Sequence, residues 1–168
     1  TLTGLTGSFT YAGATSVTYS APVVTITFPA TAAAPVAAYV PAVKSGNLVF
    51  TAGQLPVVDG KLVKEGKVGS DVSAEDAKEL AQICALNALA AISLVADLDE
   101  VERVVRVGGF VNCAPGFTAI PGVVNGASEF LIKVFGDVNG KHARTAVGVA
   151  ELPLNAPVEI ELIVQLKN

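Results

Sequence analysis

Hydrophobic positions first follow a regular pattern between residues 36 and 62. Residues 36–43 and 48–58 have the alternation and β-branched content of strands, and the run Lys44-Ser45-Gly46-Asn47 between them has turn composition. Asp59-Gly60 then stands between Val58 and Leu62, which is a strong hairpin signal. The pattern predicts consecutive antiparallel strands over this segment.

The spacing of apolar residues changes to three and four after residue 73. Ser73, followed three residues later by Asp76, is typical of a helix N-terminus. The apolar positions that follow predict a long helix with a face of small side chains: Ala77, Leu80, Ala81, Cys84, Ala88, Ala91, Ile92 and Val95. Small side chains allow close approach to a sheet, so we expect Cys84 in the packing layer.

The second half of the chain contains a further helix between strands. Residues 101–111 read as a largely buried strand whose Gly108-Gly109 pair allows a bulge or a close backbone approach. Helical spacing returns over residues 121–135 and stops near Gly136. Residues 143–151 and 157–167 predict two final strands, which we expect to form a hairpin. The fold class predicted is α+β, one mixed sheet with both helices on one face.

Residues 1–32 differ from the rest of the chain, because no charged side chain occurs before Lys44. Their Thr, Val and Tyr content favours short strands, with a hairpin around residues 12–15, and a loosely attached leader is the alternative. We therefore divide the chain into a leader, residues 1–32, and one domain, residues 33–168. A secretory or transit signal has basic residues near its start, so we expect a cytoplasmic protein.

Composition limits the classes of function. Hydrophobic residues make up 51% of the 168 and charged residues 15%, so we expect part of the apolar surface to meet another subunit. The net charge of −4 argues against a nucleic-acid partner, and Thr, Ser, Gly and Pro interrupt every early apolar run before it reaches membrane-spanning length. Two cysteines, Cys84 and Cys113, and one histidine offer neither a disulfide framework nor a zinc site. We expect no metal, no cofactor and no membrane partner.

Three motifs occur in a fixed order along the chain. The first combines Gly46-Asn47, Thr51-Ala52-Gly53-Gln54 and Pro56, the second is the run VVNGASEFL, and the third joins Arg144, Leu152-Pro153 and the strand Val158-Glu159-Ile160-Glu161. On these residues, over about residues 33–167, the chain resembles the RidA (YjgF, reactive intermediate deaminase) family.

This resemblance implies a homotrimer with a chorismate-mutase-like fold and ligand sites at the subunit clefts. It also implies hydrolysis of enamines and imines, such as small 2-imino acids, to 2-keto acids and ammonia. The family's carboxylate-binding Arg falls on Arg144, and its acidic residue linked to water activation falls on Glu159. Its other site positions fall on Tyr39, Gly53 and Asn125. Many close members have Ser and Cys where this chain has Ala52 and Ala146, so polar side-chain contacts are lost at these two positions. Backbone groups there can still bind ligand, and Ala146 stays among the predicted substrate-binding positions with Tyr39, Gly53 and Asn125.

The chemistry of these residue types agrees with that activity. A guanidinium grips a carboxylate through two parallel charge-assisted hydrogen bonds, each contributing about 1.5 to 3 kcal/mol, which suits Arg144 as the substrate anchor. A positioned acceptor such as Glu159 that deprotonates water contributes about 10² to 10⁴ in rate. If the last two strands form a hairpin, Arg144 and Glu159 lie about 17 Å apart along it, and we expect any joint action to involve different chains.

Structural roles remain open for the same residues. Arg144 is equally suited to a surface charge paired with a carboxylate, and Glu159 with Glu161 to solvated or interface carboxylates. Tyr39 fits a rim aromatic, Asn125 a polar helix surface and His142 a structural role. At the level of function, the rivals are a non-catalytic trimer that binds small keto or amino-acid-derived ligands, and an endoribonuclease, which the acidic composition and lack of a histidine pair disfavour.

Overall fold

The computed structural model describes residues 38–168 in full, together with the backbone of three short strands nearer the start. These strands are β1 (Leu2–Thr3), β2 (Ser16–Ser20) and β3 (Val23–Thr27), and they pair antiparallel in the order β1-β3-β2. The turn predicted at residues 12–15 and the strand start predicted at residue 36 lie outside the described residues. The division between leader and domain at residue 32 stays a prediction.

The main sheet has five strands in the order β4-β5-β10-β8-β9. Only β8 and β9 are parallel, and the other pairs are antiparallel, so the sheet is mixed. Its strands are β4 (Ala42–Ser45), β5 (Leu48–Thr51), β8 (Val101–Asn112), β9 (Ala143–Val149) and β10 (Val158–Leu166). A separate small hairpin, β6 (Val57–Val58) with β7 (Lys61–Leu62), turns at Asp59-Gly60 as predicted.

The first helix, α1, spans Ala74–Ile92 and begins where the sequence predicts. The Ser73 hydroxyl accepts a hydrogen bond from the Asp76 backbone N–H at 3.0 Å, so one of the free donors of the first turn is satisfied. Lys64 pairs with the Asp76 carboxylate and lowers its pKa, which favours the negative charge at this helix end. Cys84 is fully buried in the core, as predicted.

The second helix, α2, spans Ile120–Asn139, but its helical backbone is interrupted at Gly136, where φ is 79°. The predicted stop near Gly136 is therefore confirmed as a break in the helix. One further turn of chain follows this break. Two short 3₁₀ helices, Leu98–Glu100 and Pro153–Asn155, precede β8 and β10.

Both helices pack on one face of the sheet and against each other, which confirms the predicted α+β architecture. The small side chains of α1 allow this close packing, and Gly126 of α2 sits directly over the backbone carbonyl of Lys78. No helix in the described part of the chain is long and apolar enough to cross a membrane.

The predicted hairpin of the last two strands is wrong. β9 pairs with β8 in parallel, after α2 has carried the chain back, while β10 inserts between β8 and β5. The connection crosses the end of β8, where the buried Asn112 bonds to Asn155 at 3.2 Å and to Lys67 at 3.0 Å. β8 is buried mainly over residues 107–112, and there β9 and β10 flank its two edges instead of pairing with each other.

Candidate functional site

The two residues predicted to act on substrate lie on opposite faces of the sheet. Arg144 is in register with the buried Val107, so it belongs to the face that carries the helices. Glu159 is in register with Phe110, and its neighbours Val158 and Ile160 point into the core, so Glu159 belongs to the open face. The sequence predicts that Arg144 and Glu159 lie far apart along one hairpin. In the structure the sheet itself lies between their side chains, so the two cannot meet at one ligand within a chain.

Arg144 is held by three neutral oxygens of α2. Its Nη1 donates to Asn125 Oδ1 at 2.8 Å and to Ser128 Oγ at 3.1 Å, and its Nη2 donates to the Pro121 carbonyl at 3.4 Å. The ion pairs among residues 38–168 are lysine–carboxylate pairs, and none includes Arg144. A carboxylate partner for Arg144, the structural alternative, is therefore not found in the part of the chain that the structure describes.

Ser128 and His142 complete this group, and sequence reasoning missed both as site residues. Ser128 Oγ lies 3.0 Å from His142 Nε2, and His142 Nδ1 lies 2.6 Å from the Gly140 carbonyl. Burial lowers the pKa of His142, and the Arg144 charge lowers it further. Ser128 could have been found from its spacing, because it follows Asn125 by three residues on one helix face.

Asn125 thus contacts the predicted anchor directly rather than serving only as helix-surface polarity. Ala146, two residues after Arg144 on the same face of β9, packs against the hydrophobic core. Its methyl group adds no polar contact beside the guanidinium. We name Arg144, Asn125, Ser128 and His142 the arginine group.

Glu159 lies beside Gly53 on the open face. A Cβ built on Gly53 would stand 2.6 Å from Glu159 Cδ and closer still to Oε1, so only glycine leaves room for the carboxylate there. Burial raises the pKa of the Glu159 carboxyl, and the neighbouring Glu161 raises it further. No hydrogen-bond donor contacts either carboxylate within residues 38–168, which leaves Glu159 a half-buried acceptor with free lone pairs.

Tyr39 and Ala52 lie near the β4 edge of the same sheet. Tyr39 is 47% exposed three residues before β4, and the Ala52 N–H bonds to the Pro41 carbonyl at 2.8 Å. β4 and β9 are the two outer strands, four spacings apart, or about 19 Å. Within one chain the structure therefore does not bring Tyr39 to Arg144. We name Gly53 and Glu159 the glutamate group, and Tyr39 stays a predicted site residue at the β4 edge.

A mixed five-stranded sheet with two helices on one face, an arginine held by neutral oxygens near one edge and a half-buried carboxylate on the other face defines a class of small α+β domains. Within it, the family model described as endoribonuclease L-PSP matches residues 29–166. The chain belongs to this family, which includes the RidA and YjgF proteins.

Individual relatives agree with this assignment. Protein TCP17 of Trypanosoma cruzi is 42% identical over 138 residues, 82% of this chain and 86% of its own length. RutC family protein PM1466 of Pasteurella multocida is 32% identical over 136 residues, covering 79% and 90%. The crystal structure of Atu1372, a protein of unknown function from Agrobacterium tumefaciens, has a TM-score of 0.75 and 45% identity, covering 80% of this chain and 86% of that one.

Proposed function

We propose that this protein hydrolyses reactive enamine and imine intermediates, in particular small 2-imino acids, to 2-keto acids and ammonia. The observation that carries the proposal is the guanidinium of Arg144, which is oriented by neutral oxygens and has no carboxylate partner in the described part of the chain. A positive charge held in this way is available for the carboxylate of a ligand.

Glu159 supplies the second function that the reaction needs. Water attacks the carbon of the C=N bond while the Glu159 carboxylate accepts one of its protons, and this proton passes to nitrogen to give the carbinolamine. The same carboxylate then transfers the carbinolamine hydroxyl proton to nitrogen, so the C–N bond breaks, ammonia leaves and the keto group forms. A carboxyl group with a raised pKa is a stronger base than an exposed glutamate, and it gives the proton back within the same cycle. Water and the imino acid are consumed, and the keto acid and ammonia are released.

We further propose that the complete site forms between chains of a homotrimer. The arginine group lies on one face of the sheet near the β9 edge, whereas Glu159 lies on the other face of the central strand β10, so a neighbouring chain is needed to bring them to one ligand. The open face also exposes large apolar side chains, Val43 at 52%, Phe50 at 39% and Val147 at 39%. A head-to-tail contact between the two edges closes a ring in a cyclic oligomer.

The test is keto-acid release from 2-iminobutanoate that a threonine dehydratase generates in situ. We expect wild type to accelerate release, Arg144→Ala to lose about ten- to a hundredfold in apparent affinity, and Glu159→Gln to lose about 10² to 10⁴ in rate. Arg103→Ala is the matched control, because Arg103 is an exposed arginine of β8 remote from both groups. Equal losses in Arg144→Ala and Arg103→Ala would contradict the anchoring role.

A folded wild-type protein that binds 2-ketobutyrate without accelerating release would instead favour the non-catalytic binder. The observation that favours this second function is that alanine stands at positions 52 and 146, where many close members of the family carry Ser and Cys. The polar side chains of those members are therefore missing at Ala52 and Ala146. RNA cleavage, which the family description names, is a weaker candidate here. The single histidine of the chain has both ring nitrogens hydrogen-bonded, so it has no free acid–base pair to offer.

A further inference from the structure

His142 is joined to Arg144 through one intermediate hydroxyl. A carbonyl oxygen only accepts, so the 2.6 Å contact with Gly140 requires the proton on His142 Nδ1. In the neutral ring Nε2 is then an acceptor, and it takes the hydroxyl proton of Ser128 at 3.0 Å. The groups around the ring are the Gly140 carbonyl just after α2, the Ser128 hydroxyl of α2 and the Arg144 charge of β9. Burial and the Arg144 charge lower the pKa of His142 and outweigh the Gly140 carbonyl, which raises it, so the neutral ring is favoured.

The direction of the Ser128 hydroxyl decides what Arg144 meets. With its proton committed to His142, the Ser128 oxygen presents lone pairs to Arg144 Nη1 at 3.1 Å, while Asn125 Oδ1 takes the other Nη1 proton at 2.8 Å. A helical serine without such an acceptor readily donates to a carbonyl of the preceding turn instead. Because His142 accepts the Ser128 hydroxyl proton, it keeps Ser128 from donating that proton to a backbone carbonyl.

This arrangement leaves one edge of the guanidinium free. Both Nη1 protons are used, and one Nη2 proton points to the Pro121 carbonyl. Within the described residues, neither the Nε–H nor the second Nη2–H makes a hydrogen bond, and the Nε–H is adjacent and parallel to the Nη2–H on its side of the guanidinium. Two parallel donors match the two oxygens of one carboxylate.

We propose that His142 is a positioning residue that acts through Ser128 to hold Arg144 with its Nε–Nη2 edge toward the ligand carboxylate. The carboxylate part of this inference rests on the proposed function, whereas the restraint on Arg144 does not. His142 touches neither water nor ligand in this role. Its contribution is to fix the hydrogen-bond direction of the neighbouring hydroxyl.

The restraint is tested by NMR of the arginine side chains in the assembled protein without ligand. The chain has three arginines, so the Arg144 signal is identified by its loss in Arg144→Lys. We expect slow rotation of the Arg144 guanidinium in wild type, rotation as fast as that of the exposed Arg103 in His142→Phe, and slow rotation restored in His142→Gln. Glutamine keeps an acceptor near the position of Nε2, whereas phenylalanine keeps only the ring. Unchanged rotation in a folded His142→Phe protein would overturn the proposal.

The carboxylate part is tested by 2-ketobutyrate binding in the same variants. His142→Phe is expected to weaken binding about three- to tenfold, the range of one neutral hydrogen bond, and His142→Gln to restore most of it. In the Ser128→Ala background, His142→Phe is expected to add nothing. Additive losses of 2-ketobutyrate binding in the double variant would mean that His142 does not act through Ser128, and they would overturn the proposal.

Wild type that does not bind 2-ketobutyrate would contradict the proposed function. The rotation measurement would still decide the role of His142. If His142→Phe does not fold, the pair His142→Gln and Ser128→Ala decides it: the first is expected to keep slow rotation of Arg144 and the second to lose it, and any other result would overturn the proposal.

Discussion

At the residue scale, the environment of Glu159 differs clearly from that of an exposed glutamate. It is a half-buried carboxylate beside Gly53, with Glu161 two residues away on the same face. A carboxylate without donors around it is costly to bury, so its retention in the open face points to a role in binding or catalysis.

The raised pKa of Glu159 sets a pH dependence of stability. The native state binds the proton more tightly than the unfolded chain does, so this stabilising contribution is complete below the ordinary value of 4.5 and is lost as pH rises through the native pKa. We expect Glu159→Gln to melt at a higher temperature than wild type at pH 8, with the difference shrinking toward pH 4, as measured by calorimetry without ligand.

Glu65→Gln, at an exposed position, is the control and is expected to show no such trend. A Glu159→Gln protein that melts below wild type at pH 8 would contradict the prediction. It would mean that a cation of a neighbouring chain compensates the charge.

Gly53 makes the position of Glu159 possible. In Gly53→Ala the new methyl group overlaps the Glu159 carboxyl, which must turn away from its present place. We expect imine hydrolysis to fall by about 10² to 10⁴, the loss expected when a general base is displaced. Keto-acid release measures the effect, and Gly122→Ala, at a glycine with open space around it, should leave the rate unchanged. Wild-type turnover in Gly53→Ala would contradict the base assignment.

At the scale of elements, the contact between the two helices depends on one residue. Gly126 lies so close to the Lys78 carbonyl that no Cβ fits between α2 and α1. Since α2 also carries Asn125 and Ser128, this contact fixes the position of the arginine group as well as the core.

We expect Gly126→Ala to destabilise the protein by about 1 to 3 kcal/mol, the usual cost of overpacking, because the helices must separate. Gly122 offers a matched control on the same helix, with nothing within 4 Å of a new methyl group. Gly122→Ala should be neutral or stabilising by up to about 1 kcal/mol. Urea unfolding measures both variants, and equal effects would contradict the close-packing argument.

At the scale of the whole molecule, the proposed site needs a second chain, because one chain keeps the two residue groups on opposite faces of its sheet. One chain presents the arginine group near its β9 edge and the glutamate group on the far side of its sheet. In a ring of identical chains, each contact joins one group to the other, so every site draws on two chains.

Mixed oligomers test this division. Arg144→Ala and Glu159→Gln chains, each with strongly reduced activity alone at a substrate concentration well below saturation, are unfolded, mixed in equal amounts and refolded together. If sites lie between chains, about a quarter of them combine two intact residues, so about a quarter of wild-type activity is expected. The control mixes Arg144→Ala with a chain carrying both substitutions, which should stay inactive. No recovery in the first mixture would place both residues in the same chain's site and contradict the proposed assembly.

Much of the architecture follows from local pattern. The start of α1 at Ser73, the break of α2 at Gly136, the turn at Asp59-Gly60 and the α+β class are all written in short-range spacing and turn chemistry. Such signals act within a few residues, so they can be recognised in the sequence before the fold is known. The candidate residues Arg144, Glu159 and Asn125 could also be picked out, because their motifs are contiguous.

Strand pairing was not determined locally. β9 and β10 are consecutive strands joined by a short connection, yet they lie on the two edges of β8, and α2 packs against β8 and β9. The same long-range pairing put Arg144 and Glu159 on opposite faces and joined Ser128 and His142 to Arg144. The sequence by itself determined the elements and the chemical groups, whereas the tertiary structure decided which groups meet, because a contact between distant residues depends on the whole sheet and both helices.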